Sequence, residues 1–293
     1  MTALNTVRVF IGSGEASLLE RKTLIHSLRK HTRRELDIYV FNGTHNAIEH
    51  NDQPPVLADM PLWIKYQNYT EFSNYRWLIP SICGHQGRAI FLDSDMVCIG
   101  DIGELFDADM QDCAMLAKPE AYKGKKSWGM SNILFDCSKC YFDLEAIFRD
   151  IGQGQFTNTE FHQMAPAFLA KHPYTLGALD TNWNSFDHLD EKTKLIHYTN
   201  LRTQPWKFSG HPHEGLWFKY FNEAQKSGLI SKSDVDKTLA RAYARQDILD
   251  PLSPATLKIA AGTLRPGSSS PSGFRELKSK LRKLLGLKKQ NAA

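Results

Sequence analysis

An α/β fold built on a mostly parallel, doubly wound sheet is what this chain predicts. Three observations carry that reading. The chain opens with a strand, a helix and a second strand. Its later strands are short and wholly apolar, as strands buried on both faces are. Each of these strands ends abruptly in polar or glycine residues. The first strand is Val7-Arg8-Val9-Phe10-Ile11, punctuated by Gly12-Ser13-Gly14. A helix follows, with Leu18, Leu24, Ile25 and Leu28 on one face. Asp37-Ile38-Tyr39-Val40-Phe41 is the second strand, stopped by Asn42-Gly43, and a βαβ opening favours a parallel sheet. Gly12-Ser13-Gly14 lacks the third glycine of a dinucleotide fingerprint.

Residues 44–62 are polar and proline-bearing and read as a loop. Tyr75 to Cys83 reads as helical, with Pro80 marking a kink or a late start. Ala89-Ile90-Phe91-Leu92 is a fully apolar strand that runs directly into Asp93-Ser94-Asp95. Ala114–Ala117, Asn132–Phe135 and Leu195–Tyr198 read as further short strands. Residues 262–273 carry a Ser/Pro/Gly-rich linker, and a helix is expected over 274–293. The expected organisation is a catalytic domain over 1–220, a small helical extension over 221–261, that linker, and a basic amphipathic tail.

Composition narrows the class. A chain of 293 residues with 42% hydrophobic and 23% charged residues has the make-up of a globular protein with a sizeable core. No apolar run approaches the roughly 18 residues that span a bilayer. Residues 1–6 lack the basic-then-apolar layout of a signal peptide. Five cysteines are too few, and odd in number, for a disulfide scaffold. The Cys137/Cys140 pair lacks the second pair of a zinc site and reads as two structural thiols. A cytoplasmic protein with reduced thiols is the expectation. The net charge of +4 arises in the tail, where residues 274–289 hold seven basic residues against one acid, leaving the rest of the chain at −2. No nucleic-acid partner is expected from such a body. The tail places Phe274, Leu277, Leu281, Leu284 and Leu285 at helical spacing, opposite lysines and arginines. That pattern suits peripheral docking on an anionic membrane surface, and equally a helix packed on the body or on a partner.

Asp93 and Asp95 are the sharpest chemical feature. Two carboxylates at i and i+2, just past a buried strand, sit at the strand's C-terminal edge, where open α/β sheets bind ligands. Held that close they repel unless a cation lies between them, and oxygen donors suit Mg2+ or Mn2+. His197, at the end of another short strand, would be a third ligand. The bland alternative is a solvated turn capping the next helix. A rival is the opening motif of haloacid-dehalogenase-type phosphatases, with Asp93 as nucleophile, but that fold begins with this strand and here more than ninety residues precede it. Lys123, Lys125 and Lys126 near Trp128 read as a basic loop, able to close over a diphosphate or simply solvated.

The segments from Tyr75-Arg76-Trp77-Leu78 through Phe91-Leu92-Asp93-Ser94-Asp95 to Asp101-Ile102-Gly103-Glu104-Leu105-Phe106 resemble the core of retaining glycosyltransferases of the GT-A fold, a Rossmann-like architecture. The nearest resemblance is to family 8, which contains glycogenin and bacterial lipooligosaccharide galactosyltransferases. Val9–Gly12 with Glu15, the pair Trp183-Asn184, and His197-Tyr198-Thr199 through Pro205-Trp206 resemble further family segments, in order, over residues 7–220. The resemblance implies a nucleotide-sugar donor, UDP-linked for preference, and transfer of a hexose with retention to a glycan or glycolipid acceptor. It implies Mn2+ (or Mg2+) held by Asp93, Asp95 and His197. Ile11, Gly12, Ser13 and Glu15 would meet the base, Ser94 the ribose, and Arg76 the phosphates or sugar. Lys126, Trp183, Asn184, Pro205, Trp206 and Lys207 would complete the donor site. The family's Asn-Ala-Gly is replaced by Met130-Ser131-Asn132, and its Asp-Gln pair has no clear counterpart; Asn132, Glu160 and Gln163 are the candidates for those catalytic places. The phosphate-binding lysine is absent from Gln204-Pro205-Trp206, with Lys207 or Arg202 as replacements. A nucleotide-sugar binder without turnover and a sugar nucleotidyltransferase are the alternatives.

Overall fold

The computed structural model describes residues 6–51, 53–57, 66 and 69–249. The chain divides into two compact units, Met1–Gln246 and Asp247–Ala293. The first is described below. The linker expected at 262–273 and the basic tail expected at 274–293 lie outside the described residues.

Eight strands make the central sheet, in the order β4-β3-β2-β1-β5-β8-β7-β9. They are β1 Val7–Ser13, β2 Leu36–Asn42, β3 Ala47–His50, β4 Val56–Leu57, β5 Arg88–Asp93, β7 Met115–Tyr122, β8 Lys125–Asp136 and β9 Leu176–Ala178. β1 lies parallel to both β2 and β5, and β3 and β8 run against the remaining six strands. The sheet is therefore mixed, with a parallel centre. Two interruptions were not expected from sequence. Part of 44–62 is not loop: Ala47–His50 adds to the edge of β2, where Glu49 meets Arg21 at 3.0 Å and His50 stacks on Tyr39. The polar side chains that argued for a loop are thus met across the strand pair. The basic stretch 123–126 is likewise the tip of a β7–β8 hairpin.

Alternation along the strands explains the continuous apolar runs. Phe10, Phe91, Ile133 and Phe135 enter one core with Tyr75, Trp77, Phe161 and Phe168. Val9, Ile11, Ile90, Leu92 and Leu134 enter the other with Leu24, Ile25 and Leu28. Both faces are dry along Val9–Ile11, Ala89–Leu92 and Ile133–Phe135, so no polar residue alternates there. Helix α1, Leu18–His31, covers the second face; Leu19 is buried on it and Leu18 is only half-buried. On the first face a 3-10 turn, Tyr75–Leu78, leads into α2, Ile79–Ile82, with Pro80 in its first turn. That is the late helix start the proline suggested. α3, Ile102–Phe106, is capped by Asp101. α4 (Leu144–Gly152), α5 (Asn158–His162) and α6 (Pro166–Lys171) follow the hairpin.

A second sheet, β10-β11-β6, comprises Ser185–Phe186, Leu195–His197 and Met96–Cys98. α7, Glu214–Lys226, runs across the domain limit expected at residue 220, and α8, Lys232–Ala240, follows within the same unit. Segment 69–74 crosses the C-terminal ends of β1 and β2. A methyl group on Gly43 would overlap the backbone of Glu71, and one on Gly12 would overlap the ring of Phe72. Backbone cannot yield as a side-chain end can, so Gly43→Ala should cost about 1–3 kcal/mol. Chemical denaturation should show a lower midpoint at unchanged slope; an unchanged midpoint would mean that this segment does not rest on Gly43.

Candidate metal centre and cleft

Asp93 closes β5, and Asp95 lies in the two-residue link to β6. β6 leaves the main sheet and pairs antiparallel with β11, which sets Met96 opposite His197. Tyr198 N–H donates to the Asp95 carbonyl at 2.9 Å. A hundred residues of chain are closed by this register, and the result is one ligand atom each from Asp93, Asp95 and His197 within 4.8 Å of one another. His197 Nε2 is 3.0 Å from Asp95 Oδ1.

Neighbouring side chains fix these groups. Asn184 Nδ2 donates to Ser131 Oγ at 3.0 Å, which turns its Oδ1 to His197 Nδ1 at 3.1 Å. Nδ1 therefore carries a proton, and Nε2 faces the carboxylates. Gln204 Nε2 donates to Asp95 Oδ2 at 3.3 Å and to the Tyr198 carbonyl at 3.0 Å. Arg76, packed over the Phe91 ring, reaches Asp93 Oδ1 at 3.2 Å with Nη2, and its Nη1 donates to the Met130 carbonyl.

The electrostatics call for a cation. Burial pushes the Asp93 carboxyl up to about 6; Arg76 and His197 pull the other way and Asp95 adds to the rise. Burial opposes charging His197, but Asp95, Asp93 and Asp187 outweigh it and raise its proton affinity. In this state a shared proton meets charge that a divalent ion would meet better. Two carboxylates and one imidazole, with the imidazole oriented by its other nitrogen, fit Mn2+ or Mg2+.

Beside this centre opens a cleft of about 440 Å³, lined among others by Arg76, Asp93, Glu120, Trp128, His162 and Gln163. Polar atoms on and behind its wall lack partners among the described residues: Arg76 Nε, Trp77 Nε1, both amide atoms of Asn158, His162 Nε2 and Gln163 Oε1. His162 is buried, and burial, with Arg76 nearby, holds its pKa down to about 3.

The residues expected from sequence fall into three groups. Asp93, Asp95, His197, Arg76, Asn184 and Gln163 stand at the centre or the cleft, with Ser94 buried between the two aspartates. Asn132 lies next to them, donating through Nδ2 to the Trp183 carbonyl at 2.6 Å. Others serve the scaffold in this structure. The Glu160 carboxylate is held by Thr157 in a helix-capping box at 2.8 and 2.9 Å and does not line the cleft. Ile11 is core, Ser13 is buried and bonds the Gly14 carbonyl, and Trp206 packs on Tyr198 and Trp217 beside buried Pro205. Glu15 pairs with His45 and Arg241, Lys126 lies over Trp128, and Lys207 is exposed. Sequence reasoning missed His162 and Glu120 in the cleft. It quoted Gln204 without giving it a role.

Comparison with known proteins agrees with this geometry. Residues 11–144 match the model of glycosyl transferase family 8. None of the curated proteins matches the sequence. Among solved structures, the galactosyltransferase LgtC, in complex with donor and acceptor sugar analogues, is similar with a TM-score of 0.56 and 10% identity, covering 76% of this chain and 100% of that one. The bifunctional glycosyltransferase WbbM is similar with a TM-score of 0.51 and 15% identity, over 75% of this chain. The glycosyltransferase GlyE of Streptococcus pneumoniae TIGR4 is similar with a TM-score of 0.50 and 17% identity, over 77% of this chain. This chain spans 51% of the WbbM structure and 64% of the GlyE structure. At such identities the structures speak for the GT-A fold alone. No helix among the described residues is long and apolar enough to cross a membrane.

The low proton affinity of His162 has a consequence for stability. The unfolded chain binds a proton near pH 6.5 and the folded chain only near 3, so this group's contribution is complete above 6.5 and is lost as pH falls from 6.5 towards 3. Between pH 7 and pH 5 the loss should be on the order of 2 kcal/mol. Denaturation midpoints of wild type and His162→Gln should converge as the pH is lowered over that range; parallel curves would mean that His162 titrates normally.

Proposed function

We propose that this family 8-like GT-A glycosyltransferase moves a hexose from a nucleotide sugar, UDP-linked for preference, to a glycan or glycolipid acceptor with retention and with a divalent metal, manganese or magnesium. The observation that carries this reading is the convergence of Asp93, Asp95 and His197 at the rim of a cleft of about 440 Å³. A metal bound there would act as a Lewis acid towards the charge that develops on the departing diphosphate.

The chain's own groups do the remaining work. Asn184 and Gln204 hold two of the metal ligands in orientation, so ligand ordering is complete before substrate arrives. Arg76 is buried against Asp93 and brings fixed positive charge to the diphosphate end of the cleft. Gln163, half-buried on the cleft wall, offers its amide nitrogen to a sugar hydroxyl. The half-exposed ring of Phe72, which lies over Gly12, offers a stacking face to the base in place of the bare strand suggested by the glycine. Ser94, between the two aspartates, is read as the contact to the ribose. Docking at the inner membrane face through 274–289 belongs to this proposal and would suit a lipid-linked acceptor.

Thermal stabilisation by nucleoside diphosphates, each with and without manganese, tests the reading. UDP with manganese should stabilise the wild type by about 2.7 kcal/mol at a hundred times Kd. Asp95→Asn should lose the manganese-dependent part, and Asn184→Ala should weaken it by about 10–100-fold in metal affinity. If no diphosphate shifts the wild type at millimolar concentration, the nucleotide-sugar reading fails. If UDP with manganese binds but no donor is turned over, the chain is a binder.

A further inference from the structure

Register in the β7–β8 hairpin changes abruptly. Ala117 pairs with Ile133, but Lys118 pairs with Gly129, so Met130, Ser131 and Asn132 are bulged out of the ladder. Bulges beside active sites re-aim side chains. Here the bulge gives the Met130 carbonyl to Arg76 and swings the outer half of the hairpin over the cleft. Along that outer half Lys118 and Glu120 share a face. Lys118 Nζ donates to the Asn184 carbonyl at 3.1 Å, so that face looks towards the metal centre, and Glu120 lies two residues further along it, on the cleft wall. Opposite, Gly129 leaves the space that the carboxylate occupies: a Cβ there would lie 2.5 Å from Glu120 Oε1.

Among the described residues the Glu120 carboxylate has no hydrogen bond or ion pair. Burial raises its proton affinity, with Lys118 and His197 opposing. Every other titratable group on the cleft wall is committed. Asp93 and Arg76 are paired, Tyr69 is bonded to Thr159, and His162 is too weak a base.

We propose that Glu120 is the catalytic carboxylate that receives the acceptor hydroxyl and takes its proton. The inference rests on the nucleotide-sugar reading above. As the acceptor oxygen bonds the anomeric carbon from the face that the diphosphate leaves, so that configuration is retained, the anomeric bond to the diphosphate breaks and its electron pair leaves with the nucleoside diphosphate. The hydroxyl proton passes to a Glu120 oxygen and from there to solvent. Gly129 is a positioning residue, kept small so that the carboxylate can lie in the cleft.

The test is release of UDP from UDP-glucose, UDP-galactose and UDP-N-acetylglucosamine with manganese, in water alone and with octyl β-galactoside or octyl β-glucoside as acceptor. Glu120→Gln should lower kcat by about 100-fold or more, while stabilisation by UDP with manganese stays at the wild-type value. Gly129→Ala meets only the flexible end of Glu120, so it should fold normally and also lower kcat. Added to Glu120→Gln it should lower kcat no further, because both act through one carboxylate. A Glu120→Gln kcat within about threefold of wild type overturns the assignment and leaves proton uptake to the leaving diphosphate. So does additive loss in the double variant. A wild type that binds UDP with manganese but releases it from none of these donors also overturns it. A wild type that no diphosphate stabilises overturns the nucleotide-sugar reading, and Glu120 with it.

Discussion

Two carboxylates, Asp93 and Asp95, are fixed at the end of a strand whose two faces are both dry, and the structure around them is organised to supply the positive charge they need. The strand cannot move to separate them, because Phe91 is locked into one core and Leu92 into the other. The link between them is only one residue. Arg76 meets one carboxylate from the first face of the sheet. His197 meets the other through the β6–β11 pairing. Burial works against charging both groups, and only the nearby carboxylates keep His197 protonated. A buried pair of this kind is a poor source of stability, and is better understood as a socket whose proper occupant is a cation.

The same constraint shapes the parts that do not touch the carboxylates. Asn184 and Gln204 are buried almost completely, a place where amides are costly unless bonded, and both bond to the ligand set. The Lys118 ammonium reaches the Asn184 carbonyl and lies 3.1 Å from the centre of the Phe186 ring. The bulge in β8 then serves two ends at once: it frees a carbonyl for Arg76 and angles the hairpin over the cleft. Segment 69–74 covers the ends of β1 and β2 and puts Phe72 where a bare glycine strand was expected.

The parallel centre of the sheet was legible because strands buried on both faces leave little room for polar residues: Val9–Ile11, Ile38–Phe41 and Ala89–Leu92 appear in the sequence as apolar runs. The candidate ligand pair Asp93 and Asp95 was legible because two carboxylates at i and i+2 need a reason, and a strand end supplies one. Strand β3 was hidden: its polar residues are met by Arg21 and Tyr39, partners that periodicity does not reveal. Glu160 looked like a cleft acid but fits the helix-capping pattern Thr-x-x-Glu equally well, and the cap is where it lies. His162, two residues after Glu160, went unseen because its significance is an unmet buried nitrogen, which only packing discloses. Glu120 was hidden for a related reason. Its direction is set by a register shift on the neighbouring strand, not by any residue near it in sequence.

The central claim is that Asp93, Asp95 and His197 form one metal site facing a nucleotide. Crystals grown with UDP and manganese, with diffraction recorded on either side of the manganese absorption edge, would test it most directly. A single anomalous peak within coordination distance of all three side chains, and touching the diphosphate, is the predicted result. A peak elsewhere, or UDP bound in the cleft with no manganese between the carboxylates, would contradict it.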